Sequence, residues 1–598
     1  MKTRIITLVA LVAAWLPARA IENLDTLLPE DVTFYMGSKD ARLFDKLDEH
    51  SLAKVVGGSE LKKIFAPWMA QQKEAQEKME KIFKEETGMA FSEIKKTFTG
   101  GSVVGLKFDL VQLYMTGVEV GQNGAAPELP KGLFDFTAAM GFSGDEALVE
   151  KIMRAYGRFF KDMTGSGAAA LPLPLAKFPE EYDSSAEDYA GVKVHTWKLK
   201  KGAKSLIESP SFALHDGALI LGLSEQGLHD AIDRVKKGGK SLADAPRHAA
   251  LVKSAAGSDM IGYCDLSSII QSAMKMGAKQ GGAAANQVLS AVRAVGVDKL
   301  DLYFMTLALS SNRADMEMGL TFHDHPGIMK LLTAMSAGTA PSFIPADATG
   351  ASYGGVDLGK MLIIVEGLVR DAVPAMGDMI EMQLGELKKQ TGVDIRKDIL
   401  GNLGTDIVIA STAQAESDVK EEEETVEPTI IALKLKDRKA LELAVTTLIN
   451  KIAPDEAMFE KREYQGHQIN NMKEVPIGYV FTDDWLVVSM GEQTMLEKTL
   501  TRMAKGGDDH LFSLLAVKSA LEGLPTVGDM GTGYYDVEQT LDSLLGMASG
   551  LGEMPELDKI IDLKNLPKKL NLPLVMGFRQ TSDDTSMRAR FHFVEKKK

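Results

Sequence analysis

The chain of 598 residues contains 45% hydrophobic and 25% charged residues, a composition typical of globular proteins and too apolar for a disordered one. Its 83 acidic and 68 basic residues give a formal net charge of −15, which repels the phosphates of nucleic acids and of anionic lipids. The charge excludes nucleic acid as an expected partner. The length and composition allow the chain to bury several large hydrophobic cores.

Residues 1–20 predict a signal peptide that is removed on export. Lys2 and Arg4 form its basic start, Ile5–Leu16 its apolar segment and Ala18–Ala20 a cleavage site of small residues. An apolar segment this short does not cross a hydrocarbon layer of about 30 Å, which takes about 20 residues. No cysteine follows the cleavage site as a lipid anchor, and no later apolar run is long enough to span a bilayer. We therefore expect an exported chain, in the periplasm, in the cell envelope or secreted, that is not integral to a membrane.

Short strand-like runs and amphipathic helical runs then alternate along the chain. The strand-like runs, bounded by Gly, Asn or Asp, include Val103–Phe108, Phe134–Phe142, Val192–Leu199, Leu219–Leu223, Leu300–Leu309 and Met316–Phe322. The run Leu61–Lys84 predicts a helix with Leu61, Ile64, Phe65, Trp68 and Met69 on one side. Many strands follow one another directly through hairpins, so the pattern predicts an α+β fold in which helices pack on a mainly antiparallel sheet.

Gly238-Gly239-Lys240-Ser241 resembles the end of a phosphate-binding loop. A helical run precedes it instead of a strand, and Arg234 stands where such a loop requires its first glycine. Gly238 is therefore expected to end a helix that Ser224 begins as its N-cap. Cys264 is the sole cysteine, so no intrachain disulfide forms, and we interpret it as a packing residue of a strand. Asp265, directly after it, is expected to cap the next helix.

Motifs for metal binding and catalysis are incomplete. His323-Asp324-His325 is the densest cluster of metal-ligand types, but Pro326 ends the element and no His-Glu-x-x-His partner exists. The acidic run Glu421–Glu424 lacks the alternating oxygen ligands and the glycine of a calcium loop. Ser-x-x-Lys pairs such as Ser51/Lys54 have no Ser-Asp-Asn or Lys-Thr-Gly companion. We therefore assign no catalytic residue, metal or cofactor, although plentiful carboxylates leave an exported hydrolase as an alternative.

Methionine is the least ordinary feature, with 31 residues that concentrate in runs such as Met361–Leu387. Flexible thioethers suit surfaces that repack around varied apolar partners. Met361, Met376, Met379 and Met382 are therefore the candidate ligand-binding residues. The alternative is a helix buried on the sheet, in which methionine fills gaps. Pro374 is expected to kink this helix.

The second half of the sequence repeats the first. Tyr189-Ala-Gly191 returns as Tyr464-Gln-Gly466, Thr87-Gly88 as Thr391-Gly392 and Tyr263-Cys264-Asp265 as Tyr534-Tyr535-Asp536, all in the same order. Insertions, among them the acidic run 416–427 in the second copy, lie between the matched blocks. The sequence therefore predicts two homologous tandem units, residues 21–326 and 341–598, joined by a short connection.

Two Leu-Pro-x-Asp-like elements, Leu28–Asp31 and Ile344–Asp347, accompany the Tyr-x-Asp strand ends Tyr263–Asp265 and Tyr534–Asp536. With these elements the chain resembles a family of exported bacterial proteins known only as a domain of unknown function. The resemblance carries no catalytic residue and implies compartment and architecture alone.

Taken together, the sequence favours an exported binding or interaction protein of the periplasm or envelope whose partner is an unknown envelope protein. A carrier that holds a lipid or another apolar ligand in a methionine-lined cavity is the second hypothesis. Exposed apolar patches would favour the first hypothesis and a large lined cavity the second.

Overall fold

The computed structural model describes residues 23–40, 43–108, 134–165, 182–201, 209–280, 283–322, 325–413, 427–452, 459–473, 475–491, 493–542 and 570–596. Within these ranges helices alternate with a large antiparallel sheet, which confirms the predicted α+β class. The signal peptide, most of the acidic run and His323-Asp324 lie outside the described residues.

The strands are β1 Phe34–Ser38, β2 Phe98–Phe108, β3 Phe134–Phe142, β4 Tyr182–Tyr189, β5 Val192–Leu199, β6 Ser211–His215, β7 Ala218–Gly222, β8 Met260–Asp265, β9 Leu300–Ser310, β10 Arg313–Phe322, β11 Met335–Ser336, β12 Gly350–Val356, β13 Leu403–Ser411, β14 Thr429–Leu435, β15 Phe459–Tyr464, β16 His467–Met472, β17 Ile477–Phe481, β18 Trp485–Met490, β19 Asp529–Asp536, β20 Leu574–Ser582 and β21 Ser586–Glu595.

The α-helices are α1 Leu43–Glu49, α2 Ser51–Gly58, α3 Leu61–Ile64, α4 Ala66–Thr87, α5 Phe91–Thr97, α6 Glu146–Gly165, α7 Glu225–Lys237, α8 Pro246–Ser254, α9 Leu266–Gln280, α10 Ala283–Val295, α11 Leu358–Ala372, α12 Pro374–Thr391, α13 Arg438–Ile452, α14 Thr494–Lys505 and α15 Leu515–Leu521. Short 3₁₀ helices include Leu24–Leu27 and Gly327–Ala334, and Ile395–Ile399 forms a π-helical turn.

Twenty of the strands form one continuous run of the sheet. From each outer edge to the middle, ten strands follow in an equivalent order. The first half runs β4-β5-β6-β7-β3-β2-β1-β8-β9-β10, and every neighbouring pair is antiparallel. The second half runs β15-β16-β17-β18-β14-β13-β12-β19-β20-β21. The two halves meet where β10 pairs with β21. β11 pairs with the end of β12.

Charged side chains line the β10–β21 seam. Glu317 on β10 accepts hydrogen bonds from Arg588 at 3.1 Å and from Arg590 Nε at 2.9 Å. Asp315 lies 3.6 Å from His592, whose side chain is buried. Each half also places helices against the other, because α2 and α3 pack near Leu570 and Leu572 while α10 contacts α11. The halves are therefore held by both strand pairing and helix packing.

Local capping follows the sequence prediction closely. The Ser224 hydroxyl accepts the Gly227 N–H at 2.9 Å to begin α7, and Gly238, with a φ of 73°, ends it. Asp265 accepts the Ser268 N–H at 3.0 Å where β8 passes into α9. The suggested phosphate-binding loop is thus the end of a helix, as expected.

Two predicted helices are divided in the structure. The run Leu61–Lys84 breaks near Phe65, and α4 begins with Pro67 in its first turn, because proline has no N–H to continue the preceding helix. Met69, predicted on the same side as the buried Ile64, is 46% exposed as a result.

Pro374 does not kink one helix but separates α11 from α12, with Val373 in a non-helical conformation. The predicted connection 326–341 contains a 3₁₀ helix and β11.

Cores lie on both faces of the sheet because alternate residues of a strand point to opposite sides. In the first half, Val103 packs with α7 and α8 on one face while Val104 packs with α4, α5 and α6 on the other. In the second half, a large core lies beneath α14 and α15. The opposite face has a smaller core of four buried residues, Leu403, Leu435, Leu441 and Phe481.

Candidate interaction surface

Four helices form a layer that crosses from the first half to the second. α9 and α10 follow β8, and α11 and α12 follow β12. Successive helices of this series contact one another, and the 3₁₀ helix Gly327–Ala334 contacts both α10 and α11. The four candidate methionines of the sequence all lie on α11 and α12.

The α11–α12 hairpin has identifiable local causes. The Asp357 carboxylate accepts the Lys360 N–H at 2.9 Å and starts α11. Gly377 allows α12 to approach α11 closely, because a Cβ there would lie 2.9 Å from the Arg370 Cβ. Gly392, with a φ of 80°, ends α12 in the left-handed conformation that suits glycine.

Arg396, on the π-helical turn, ties the two helices together. Its guanidinium lies 2.8 Å from Glu366 of α11 and 2.6 Å from Glu381 of α12. Glu381 and Glu366 both raise the pKa of Arg396, and Arg396 in turn lowers the pKa of Glu381. Ion pairs from Arg396 to the middle of each helix therefore hold the hairpin together.

Several apolar side chains of this helix layer remain in contact with solvent. No residue of α11 is buried, and Ile363 is 65% exposed. Met376, Met379 and Met382 are between 44% and 67% exposed, whereas Met361 is half-buried. We call the following set the apolar helix surface: Val288, Ile363, Val365, Met376, Met379 and Met382.

This surface has the chemistry of a contact site. Met376, Met379 and Met382 recur every third residue and therefore follow one side of α12. Covering apolar side chains stabilises a complex by about 25 cal/mol per Å² of area removed from water. Thioethers can adopt several rotamers and fit partners of different shape. The arrangement can thus bind an apolar partner, and none of the six side chains is titratable.

Cys264 does not have the environment of a nucleophile. Burial raises the pKa of its thiol to about 11, so the thiolate is scarce at neutral pH. The strand β8 holds it opposite Phe34 of β1 and Tyr303 of β9. This placement agrees with its interpretation as a packing residue.

Sequence reasoning missed several His–carboxylate clusters because their members are far apart in the chain. His195 on β5 has Glu146 at 3.1 Å from Nε2 and Glu150 at 3.1 Å from Nδ1, and it stacks on Phe212. His248 lies 3.0 Å from Asp25, which also accepts the Tyr35 hydroxyl at 2.9 Å. Both histidines are buried, so these clusters contribute to the core rather than to an open site.

The structure describes only some of the candidate metal ligands that the sequence indicated. His323 and Asp324 lie outside the described residues, while His325 Nδ1 lies 3.9 Å from Asp584. The acidic run 421–424 is also outside the described ranges. A group that the sequence did not indicate, Glu187, Glu225 and His229, does bring three ligand atoms within 4.8 Å of one another.

Among the helices that the structure describes, none combines the length and apolarity needed to cross a bilayer.

A search of curated proteins finds no match to this chain. Two crystal structures of TP0453 are similar over part of it, with a TM-score of 0.22 in each case. Crystal form IV is 12% identical and the match covers 41% of this chain and 76% of that chain. Crystal form III is 9% identical and the match covers 50% and 79%, respectively. Residues 172–402 match the family described as "Protein of unknown function (DUF3352)", which confirms the resemblance to a family of unknown function.

Proposed function

We propose that the chain is an exported binding protein of the periplasm or cell envelope that docks a partner protein on the apolar helix surface. The observation that carries the proposal is the exposure of Ile363, Met379 and Met382. These side chains remain exposed although their helices already contact the neighbouring helices of the layer. Exposed apolar side chains grouped on one layer are typical of interaction sites.

The placement of the methionines also weighs between the two binding hypotheses. A carrier requires them around an enclosed cavity, whereas Met376, Met379 and Met382 face solvent. An exposed methionine stripe supports a protein partner whose own apolar surface becomes covered. Export is supported by the sequence of residues 1–20.

We also infer that the two halves are copies of one duplicated unit. Three observations support this: the matched sequence blocks, the identical order of ten strands, and the antiparallel pairing of the tenth strand of each half, β10 with β21. Among the described residues the exposed methionine stripe belongs to the second half, so the copies would have diverged in function.

The proposal is tested by placing a photo-crosslinking amino acid at Met382 in cells that express and export the chain. The control position is Leu515 on α15, which is 70% exposed against 67% for Met382. We expect a discrete crosslinked protein from position 382, absent from position 515, and lost when Met376, Met379 and Ile363 are changed to Gln. Equal crosslinking at both positions, or an adduct that survives these changes, would overturn the proposal.

Native mass spectrometry of the chain purified from the periplasm, with organic extraction, addresses the carrier alternative. The interaction hypothesis predicts the mass of the bare polypeptide from about Ile21 onward. A stoichiometric lipid in the extract would instead favour the carrier.

A further inference from the structure

We propose that Glu187, Glu225 and His229 form a zinc site that joins the edge strand β4 to helix α7. Among the described residues these three donors are within 4.8 Å of one another, and no other described group of this kind is as close. One imidazole and two carboxylates are ligands that Zn²⁺ commonly takes, with an open fourth position for water. The inference is independent of the apolar helix surface.

The ligands come from two elements that the fold brings together, strand β4 and helix α7. β4 pairs with β5 alone among the described strands, and Glu187 lies next to Val194 across that pair. Glu225 is the first residue of α7, and His229 follows one turn later on the same helix. A metal here would therefore fix an edge hairpin to the helix that covers it.

His229 carries the strongest sign of a missing ligand. Its Nε2 atom is buried and has no hydrogen-bond partner, although Glu187 Oε1 lies 2.9 Å away. A cation held between this nitrogen and the Glu187 carboxylate would supply the partner that the buried nitrogen lacks. The imidazole is oriented by Tyr189, whose ring stacks on it at 3.7 Å with an interplanar angle of 5°.

The outer contacts of the site resemble those that position metal ligands. The Tyr189 hydroxyl donates to Asp233 at 3.0 Å, which fixes the ring that in turn holds His229. Glu187 is half-exposed, so its side chain can rotate to adjust the distances between the donors. Such rotation is needed, since tetrahedral ligands about 2.0–2.2 Å from zinc lie about 3.4 Å from one another, farther apart than His229 and Glu187 at 2.9 Å.

Lys198 competes for the same position. Its ammonium lies 3.0 Å from Glu225, and this contact raises the pKa of Lys198. A bound zinc ion would have to displace this charge from the carboxylate. Replacing Lys198 should therefore strengthen metal binding, an effect that an ordinary ion-pair network would not produce.

The second half offers a built-in control. Where the corresponding hairpin β15–β16 meets α14, Arg462 pairs with Glu497, and the Tyr464 hydroxyl lies 3.0 Å from Thr501. The guanidinium occupies this place with a fixed positive charge and offers no metal ligand. We expect zinc in the first half only.

The test is isothermal titration of the full chain with Zn²⁺ alone, after treatment with a chelator. We expect one saturable site, at least tenfold weaker binding in His229→Asn and Glu187→Gln, and severalfold tighter binding in Lys198→Met. Glu497→Gln should bind zinc as the parent chain does. The gain in Lys198→Met cannot result from misfolding, and circular dichroism checks the fold of the other variants. Absence of saturable binding, or binding that His229→Asn leaves unchanged, would overturn the proposal.

Discussion

Helices α4 and α12 hold the same place in the two halves, yet α4 is packed into a core and α12 is left at the surface. Both end in the same way, because Thr87 Oγ1 donates to the Phe83 carbonyl at 2.6 Å and Thr391 Oγ1 to the Leu387 carbonyl at 2.7 Å. A glycine in the left-handed conformation follows each threonine. The backbone of the two ends is thus alike.

The side chains before these ends differ. Phe83 of α4 is fully buried and meets Tyr156 of α6 edge-on at 4.8 Å, with Met79 and Ile82 buried beside it. In α12, the residues at the same distances from the final threonine are Leu387, Gln383 and Glu386, none of them buried. The comparison teaches that this architecture can bury the inner residues of one helix and leave those of its counterpart exposed to solvent.

The largest expected effect comes from truncating Phe83 and Leu387, which each lie four residues before the final threonine of their helix. Phe83→Ala should lower the free energy of unfolding by about 3–5 kcal/mol, because it leaves a cavity against Tyr156. Leu387→Ala should cost about 1 kcal/mol, since its side chain is only partly buried. Urea unfolding of both variants measures the difference. Equal losses would show that α12 is packed as firmly as α4 and would break the comparison.

A smaller effect is expected from releasing the α11–α12 hairpin. Arg396→Met leaves Glu366, whose side chain is only 13% exposed, without its cation and should cost about 1–2 kcal/mol. Hydrogen exchange should rise in α11 and α12 and stay unchanged in α4. Lys389→Met is the matched control, because its side chain is 80% exposed. Faster exchange spread over the first half would contradict the separate behaviour of the two hairpins.

The smallest expected effect is a loss of thermal stability at acidic pH, caused by a histidine at the seam where the halves meet. Burial lowers the pKa of His592, against an opposite influence of Asp315. The unfolded chain takes up this proton near pH 6.5 more readily than the folded chain does, so stability is lost as pH falls below that value. Between about pH 7.5 and about pH 5.5, we expect the Tm of the parent chain to fall about 1–3 °C further than that of His592→Gln.

Differential scanning calorimetry at both pH values makes this measurement and also shows whether the halves unfold together. An equal fall in both chains would remove His592 as a cause. If calorimetry resolves two unfolding transitions and pH shifts only one of them, the seam contributes to the stability of one half only.

Local sequence signals predicted much of the fold. Ser224 and Gly238 delimit α7 as expected, and Phe134–Phe142 and Val192–Leu199 are strands with the predicted bounds. These features depend on neighbouring residues and on the alternation of side chains along a strand. The sequence also indicated Met376, Met379 and Met382 as a group.

Two kinds of feature could not be read from the sequence. Periodicity shows which side chains share a helix face, but not whether another element covers that face, so the exposure of the methionines had no signal. The Glu187–His229 contact joins residues from different elements. Glu225 and His229 stand one helical turn apart, but a single pair of this kind does not indicate a metal site without its third ligand. Contacts of this kind depend on the strand order, which local patterns do not encode.

The pairing of β10 with β21 has a consequence for biogenesis. Glu317 and Arg588, which pair across it, are 271 residues apart in the chain. A chain that ends before β21 leaves the edge of β10 without its partner, and such an unpaired edge can recruit other chains. The first half therefore depends on the second to close this sheet edge and to limit aggregation.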